Sequence, residues 1–214
     1  NPFEFRKAKY VKGRRKKLRL YKKDAAQFWE ALQSVTPMYR MLFLTCVMTG
    51  RRSGECKTMQ GTDIDLETGA WEIPERYVKT GEDQDAELPV ALRMMLVDHQ
   101  AWLKDQNIDS PWVFPSIGRN RSKSGHVVNT INAWAKIRAL GFEQLNVHDL
   151  RGTFLSWGQE REFITTSEAA KQAGHSGTDM TLSTYTAIDP EIRLEKVAAL
   201  GMDIIKAMCA DDDG

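Results

Sequence analysis

Two imidazoles, a guanidinium and a phenol recur in the final third of this sequence. His148 and Arg151 stand in Asn-Val-His-Asp-Leu-Arg, His175 follows Gly174, and Tyr185 sits in Thr-Leu-Ser-Thr-Tyr-Thr. A phenol behind two imidazoles and a guanidinium reads as a nucleophile facing a phosphate clamp. Upstream, Thr49-Gly50-Arg51-Arg52-Ser53-Gly54-Glu55 repeats the logic after a glycine turn. Arg52 can grip a phosphate there, while Glu55, three residues on, fixes a neighbouring guanidinium or imidazole. Lys79, before Thr80-Gly81, is placed to extend an ammonium arm toward a leaving oxygen. Taken singly, each has an ordinary reading: a helix-surface ion pair worth a few tenths of a kcal/mol, a solvated lysine, a histidine at a helix end, a half-buried tyrosine. Their combination in one order points to phosphate chemistry.

The elements that must carry these groups follow from periodicity and turn chemistry. Asp24 is placed to cap a helix with Ala25, Phe28, Trp29 and Leu32 on one face, and Pro37 to open a second helix that Gly50 ends. A short third helix is expected over 53–59. The alternation of residues 63–74 across Thr68-Gly69, then Tyr77-Val-Lys-Thr-Gly leading into Ala86-Glu-Leu-Pro-Val, predicts a small three-stranded antiparallel sheet with Lys79 in a turn between strands. Helices are expected over 90–106 and 127–140, with 111–115 extended between them. Asn146 is expected to cap a helix holding both His148 and Arg151, whose three-residue spacing would put them on one face with Cβ atoms about 5–6 Å apart. Further helices are expected over 166–174, 179–185 and 190–208. The fold class is mainly α with a small sheet, α+β.

The charge is uneven. Residues 1–23 hold eleven Lys or Arg against Glu4 alone, a charge of +10 that leaves −9 on the rest of a chain whose net charge is +1. Such a segment, with Tyr10 and Tyr21 interleaved, suits salt-sensitive phosphate contact; the competing reading is a solvated tail. We read residues 1–23 as a basic arm and 24–214 as one compact domain. No apolar run is long enough to span a bilayer, and the basic start lacks the apolar segment of a signal peptide. Cys46, Cys56 and Cys209 have no metal-ligand spacing and are read as reduced structural thiols.

On these residues the chain resembles the catalytic domain of the tyrosine recombinases, the family of phage integrases and chromosome-dimer resolving recombinases. Thr-Gly-Arg-Arg-Ser-Gly-Glu resembles the family's first arginine box, with Arg52 as catalytic arginine and Glu55 as acidic partner. Lys79 resembles the mobile catalytic lysine, His148-Asp-Leu-Arg151 the second box, Ala173-Gly174-His175 the third, and Tyr185 the nucleophile. The resemblance covers roughly residues 20–190. The sequence departs from the commoner pattern at Arg51, where an apolar residue is usual, and at Ala173, where leucine is frequent; neither position is expected to carry chemistry.

The resemblance implies the recombinase catalytic-domain fold and a site-specific recombinase acting on double-stranded DNA without metal, ATP or other cofactor. Tyr185 would attack the scissile phosphate to give a 3′-phosphotyrosyl link. Arg52, Arg151 and His175 would stabilise the transition state, Lys79 would be general acid and His148 general base. It implies a homotetramer on DNA, a monomer when free, and a bacterial or phage-encoded protein acting on the nucleoid in the cytoplasm. Core-binding and arm-binding domains would belong before residue 1, so the chain is expected to be a fragment. Further candidates for DNA contact are Arg14, Arg15, Lys16, Lys17 and Arg19 in the arm and Arg119, Arg121 and Lys123 in a basic loop. The competing readings are a type IB topoisomerase, a catalytically silent DNA-binding protein of the same fold, and a metal-dependent nuclease using Asp63, Asp65 and Glu67. The last helix is read as core, with docking on a neighbouring protomer as the alternative.

Overall fold

The computed structural model describes residues 18–79, 81–118, 121–160, 162–165, 168, 171–174 and 190–210. His175, Tyr185, Arg119, Arg14, Arg15, Lys16 and Lys17 lie outside them, as do the helix expected over 179–185 and much of that over 166–174.

The centre of the fold is a helix apolar on every face. Residues Met41 to Thr49 of α2 (Pro37–Thr49) are all buried, as a helix without a polar stripe must be. Pro37 starts it at a position where its missing N–H costs nothing. Gly50 ends it in the left-handed region at φ 67°. A Cβ at Gly50 would lie 2.4 Å from Phe154 Cδ1, so glycine is required there for conformation and for space.

Around α2 pack α1 (Ala25–Gln33), α3 (Ser53–Lys57), α4 (Val90–Asp105), α6 (Asp149–Glu160) and α7 (Pro190–Met208). Helix α5 (Ile131–Ile137) lies against α1. It is shorter than the apolar pattern predicts, because the chain enters a wide turn at Arg138–Phe142 in which Leu140 and Gly141 leave helical φ/ψ. Phe28 meets Phe142 edge-on at 5.4 Å between ring centroids and Phe43 meets Trp134 at 4.9 Å, which joins α1, α2 and α5 in one aromatic cluster. In α7, Val197, Leu200, Ile204 and Met208 are buried against the chain's own α1, α2 and α4, so this stripe serves the core. Asp24 precedes α1 as expected, but its side chain makes no capping bond.

Among the described residues the sheet has two strands, not the three predicted. Strand β1 (Ala70–Ile73) pairs antiparallel with β2 (Gln84–Glu87), Ala70 opposite Glu87 and Ile73 opposite Gln84. The segment expected to be the third strand makes a single bridge, Ile64 to Trp71. It is interrupted on both sides: a 3₁₀ turn occupies Gly61–Asp63, and Asp65 Oδ1 accepts from the N–H groups of Glu67 and Thr68 at 2.8 and 3.1 Å. The alternation was real, but Asp65 spends its carboxylate on a turn.

Before α1, Leu20 is buried and its N–H donates to Thr153 Oγ1 on α6 at 2.9 Å. Cys46 and Cys56 are buried free thiols, whereas Cys209 is exposed. Among the described residues no helix is long and apolar enough to cross a membrane.

Candidate active site

The site is built on the sharp turn that leaves α2. Gly50 redirects the chain so that Arg51 and Arg52 leave it just before α3 begins. Glu55, on the first turn of α3, reaches back. Its Oε2 accepts the Arg52 N–H at 3.1 Å and its Oε1 accepts Arg52 Nη1 at 2.9 Å. The same Oε2 lies 3.1 Å from Arg51 Nε, an ion pair without hydrogen-bond alignment. One carboxylate, 2% exposed, therefore holds two guanidinium groups.

A third guanidinium arrives from α6. Arg151 is buried, and its Nη1 donates to Gly50 O at 3.1 Å and to Ala173 O. Arg52 Nη1 donates to the next carbonyl, Gly174 O, at 3.1 Å. The two arginines thus meet on consecutive peptide units directly before His175. Burial first, then the like charge of Arg52, lowers the Arg151 guanidinium from its ordinary value to about 10, so it remains a cation at neutral pH. Burial also lowers Arg51, against the opposing attraction of Glu55.

The cluster has more positive charge than its carboxylate balances. Arg51, Arg52 and Arg151 face Glu55, and among the described residues Arg151 Nη2 is buried with no acceptor. Arg52 is 25% exposed, and its bonds among the described residues use Nη1 only, which leaves Nε and Nη2 free to donate. A buried unpartnered donor beside a half-exposed fork suits an oxyanion, since leaving such a donor unmet costs about 1–3 kcal/mol.

The remaining described residues of the prediction fall in four places. Lys79 is exposed in the middle of the loop between β1 and β2, a loop closed by Asp83 Oδ1 accepting the Glu75 N–H at 2.7 Å. His148 does not share a helix face with Arg151, as the spacing predicts. It stands exposed in the turn ahead of α6, whose regular part begins at Asp149; Asn146 and Asp149 make the expected cap across that turn, Asn146 N–H donating to Asp149 Oδ2 and Asp149 N–H to Asn146 O, both at 2.8 Å. Arg121 and Lys123 are exposed, while Arg19 is paired with Glu160 and lies over the Tyr21 ring at 4.9 Å.

Arg51 is the residue that sequence reasoning undervalued. It is 1% exposed and donates through Nη1 to Gln172 O at 3.1 Å and through Nη2 to Gln84 Oε1 at 2.8 Å. The signal available in the sequence was the tandem Arg51-Arg52 ahead of Glu55, which lets one carboxylate serve both.

A mainly helical domain thus gathers guanidinium groups from two distant segments around one turn, an arrangement with the chemistry to hold an anion. Residues 18–191 match the phage integrase family, and the chain belongs to it. No curated protein matches the sequence. Among solved structures it is similar in fold to the XerH site-specific recombinase in a post-cleavage complex with palindromic difH substrate (20% identity, 85% of this chain and 52% of that one, TM-score 0.57). It is similar also to XerA recombinase (22% identity, 83% and 63%, TM-score 0.56) and to the integrase of mycobacterium phage Brujita (16% identity, 84% and 62%, TM-score 0.56). At these identities the likeness is one of fold. The chain spans between 52% and 63% of the length of these three structures.

Proposed function

We propose that this chain is the catalytic part of a site-specific DNA recombinase that breaks and rejoins duplex DNA through Tyr185, without metal or ATP. The observation that carries the reading is the convergence of Arg52 and Arg151 on the Ala173 and Gly174 carbonyls, next to His175, with a spare donor on each guanidinium. In this reading Tyr185 attacks the scissile phosphorus, the 5′-oxygen leaves, and a 3′-phosphotyrosyl bond retains the energy that a partner strand's 5′-hydroxyl later uses to rejoin the DNA. Arg52, Arg151 and His175 hold the non-bridging oxygens as their charge grows. Each such donor is worth about 3–4 kcal/mol of transition-state stabilisation.

Lys79, exposed on its loop, delivers the proton to the departing 5′-oxygen. His148 accepts the phenolic proton of Tyr185, which at a pKa near ~10 is otherwise retained at neutral pH. The exposed position of His148 ahead of α6 is compatible with reaching a strand lying over the arginines. The basic arm ahead of the domain joins the catalytic part to the other half of a DNA clamp, its end anchored on α6 through Arg19 and Leu20, and Arg121 and Lys123 add phosphate or base contacts. The assembled protein acts as a tetramer on two duplexes in the cytoplasm.

The test is a nicked suicide duplex that traps the cleaved state. Wild-type protein should shift to an SDS-resistant protein–DNA species in EDTA, and Tyr185→Phe should not. Cleavage that needs added divalent metal would replace this reading with a nuclease.

A further inference from the structure

Arg51 connects three pieces of the fold that are far apart in sequence. Through Nε it faces Glu55 on α3; through Nη1 it holds the carbonyl of Gln172; through Nη2 it holds the side chain of Gln84 at the start of β2. Gln172 returns the connection to the same strand. Its Oε1 accepts the Glu87 N–H at 3.1 Å and its Nε2 donates to Glu87 O at 2.9 Å, the pair of bonds a neighbouring strand would make. Gly174 closes against the same guanidinium. At φ 68°, a Cβ there would lie 2.1 Å from Gln84 Oε1 and 2.6 Å from Arg51 Nη1. The glycine before His175 is thus required by the seat that Arg51 and Gln84 form.

We propose that Arg51 is a positioning residue: its planar fork locks the 172–174 turn, and with it the backbone entering His175, against β2, the strand that leaves the Lys79 loop. Glu55 alone does not need a guanidinium at position 51, since Arg52 already occupies its other oxygen. The fork is needed because its donors diverge toward two elements at once, which an ammonium on a single-point stem does not reproduce. The consequence is a mechanical link between the segment carrying the proposed general acid and the segment carrying a proposed phosphate-binding histidine. Arg51 acts through these segments and itself touches neither DNA nor the reacting atoms.

This inference rests on the recombinase reading for its catalytic consequence but not for the lock itself, and the experiment separates the two. Arg51→Lys keeps a cation beside Glu55 and loses the fork. Single-turnover cleavage of the suicide duplex by Arg51→Lys is expected to fall about 10²-fold, the effect of misplacing catalytic groups by about 1 Å. Duplex affinity should stay within about threefold of wild type, because a positioning defect falls on the chemical step. Gln84→Met, which removes the strand-side acceptor without touching a charge, should lower cleavage in the same direction. Amide hydrogen exchange of the free protein should rise in both 84–87 and 172–174 in Arg51→Lys while the α2 core stays protected. Cleavage restored by Arg51→Lys to within about threefold of wild type would assign Arg51 to charge balance and overturn the proposal. Unchanged exchange at 84–87 and 172–174 would overturn the lock directly. Absence of any adduct from wild-type protein would instead sink the recombinase reading, and the exchange measurement would still decide the lock.

Discussion

Replacing Glu55 by glutamine keeps the side-chain shape and removes the carboxylate that Arg51 and Arg52 share. In the native protein that carboxylate is 2% exposed, receives Arg52 Nη1 at 2.9 Å and the Arg52 N–H at 3.1 Å, and lies 3.1 Å from Arg51 Nε. The amide of glutamine can replace one acceptor, but its NH₂ would face a guanidinium, donor against donor. Removing one partner of a buried ion pair costs about 3–5 kcal/mol. Arg52 is 25% exposed and recovers part of its hydration, so the lower end, about 3 kcal/mol, is expected. For a domain of this size that corresponds to a fall in Tm of roughly 6–12 °C. The origin in uncompensated charge gives a second signature: an added divalent oxyanion should substitute for the lost carboxylate. Melting in sulfate and in chloride at matched ionic strength should raise the Tm of Glu55→Gln more than that of wild type, over and above the general stabilisation by sulfate. In an Arg51→Met background the same substitution should cost less, because one of the stranded guanidinium groups is gone. A loss below about 1 kcal/mol, or equal responses of the two proteins to sulfate, would refute the account of Glu55 as the counter-charge of the cluster.

Other consequences are independent of the cluster's charge balance. Gly50→Ala, which needs a side chain at φ 67° and 2.4 Å from Phe154 Cδ1, should destabilise by about 2–4 kcal/mol and lower the urea midpoint at an unchanged m-value. His99 is held below its ordinary 6.5 by burial, opposed by the bond from its Nε2 to Val113 O at 2.8 Å. Because the folded pKa is depressed, its contribution to stability is complete above pH 6.5 and is lost as pH falls through the folded value. Urea melts from pH 8 to 5 should therefore show wild type losing stability relative to His99→Gln below pH 6.5, and parallel curves would exclude this titration. Lys79→Ala should be severely impaired on ordinary DNA and substantially rescued on a 5′-bridging phosphorothiolate, whose sulfur leaves without a proton; equal impairment on both would remove the lysine from the general-acid role.

How far the sequence could be read depended on whether a feature was local. Pro37 and Gly50 bracket α2 by rules that involve only neighbouring residues, and Pro190 to Met208 has the apolar spacing of the helix it forms. The pairing of Arg52 with Glu55 was visible for the same reason. His148 was expected inside the helix, but the first regular turn begins at Asp149 and leaves His148 in the turn ahead of it, a boundary that spacing does not fix. The missing third strand shows the same competition, with Asp65 serving the turn that β1 follows. Arg51 was opaque for a different reason. Its partners Gln84 and Gln172 lie in other elements, so only the folded chain discloses why a buried arginine stands where an apolar residue would pack.

The central claim is that Tyr185 becomes covalently joined to DNA. Protein trapped on a nicked suicide duplex in EDTA can be digested with protease and nuclease, and the nucleotide-bearing peptide sequenced by mass spectrometry. The account predicts a single modified peptide from the 176–193 region carrying a 3′-linked nucleotide on Tyr185, lost in Tyr185→Phe. A nucleotide on another residue, or cleaved DNA with no nucleotide on the protein, would contradict it.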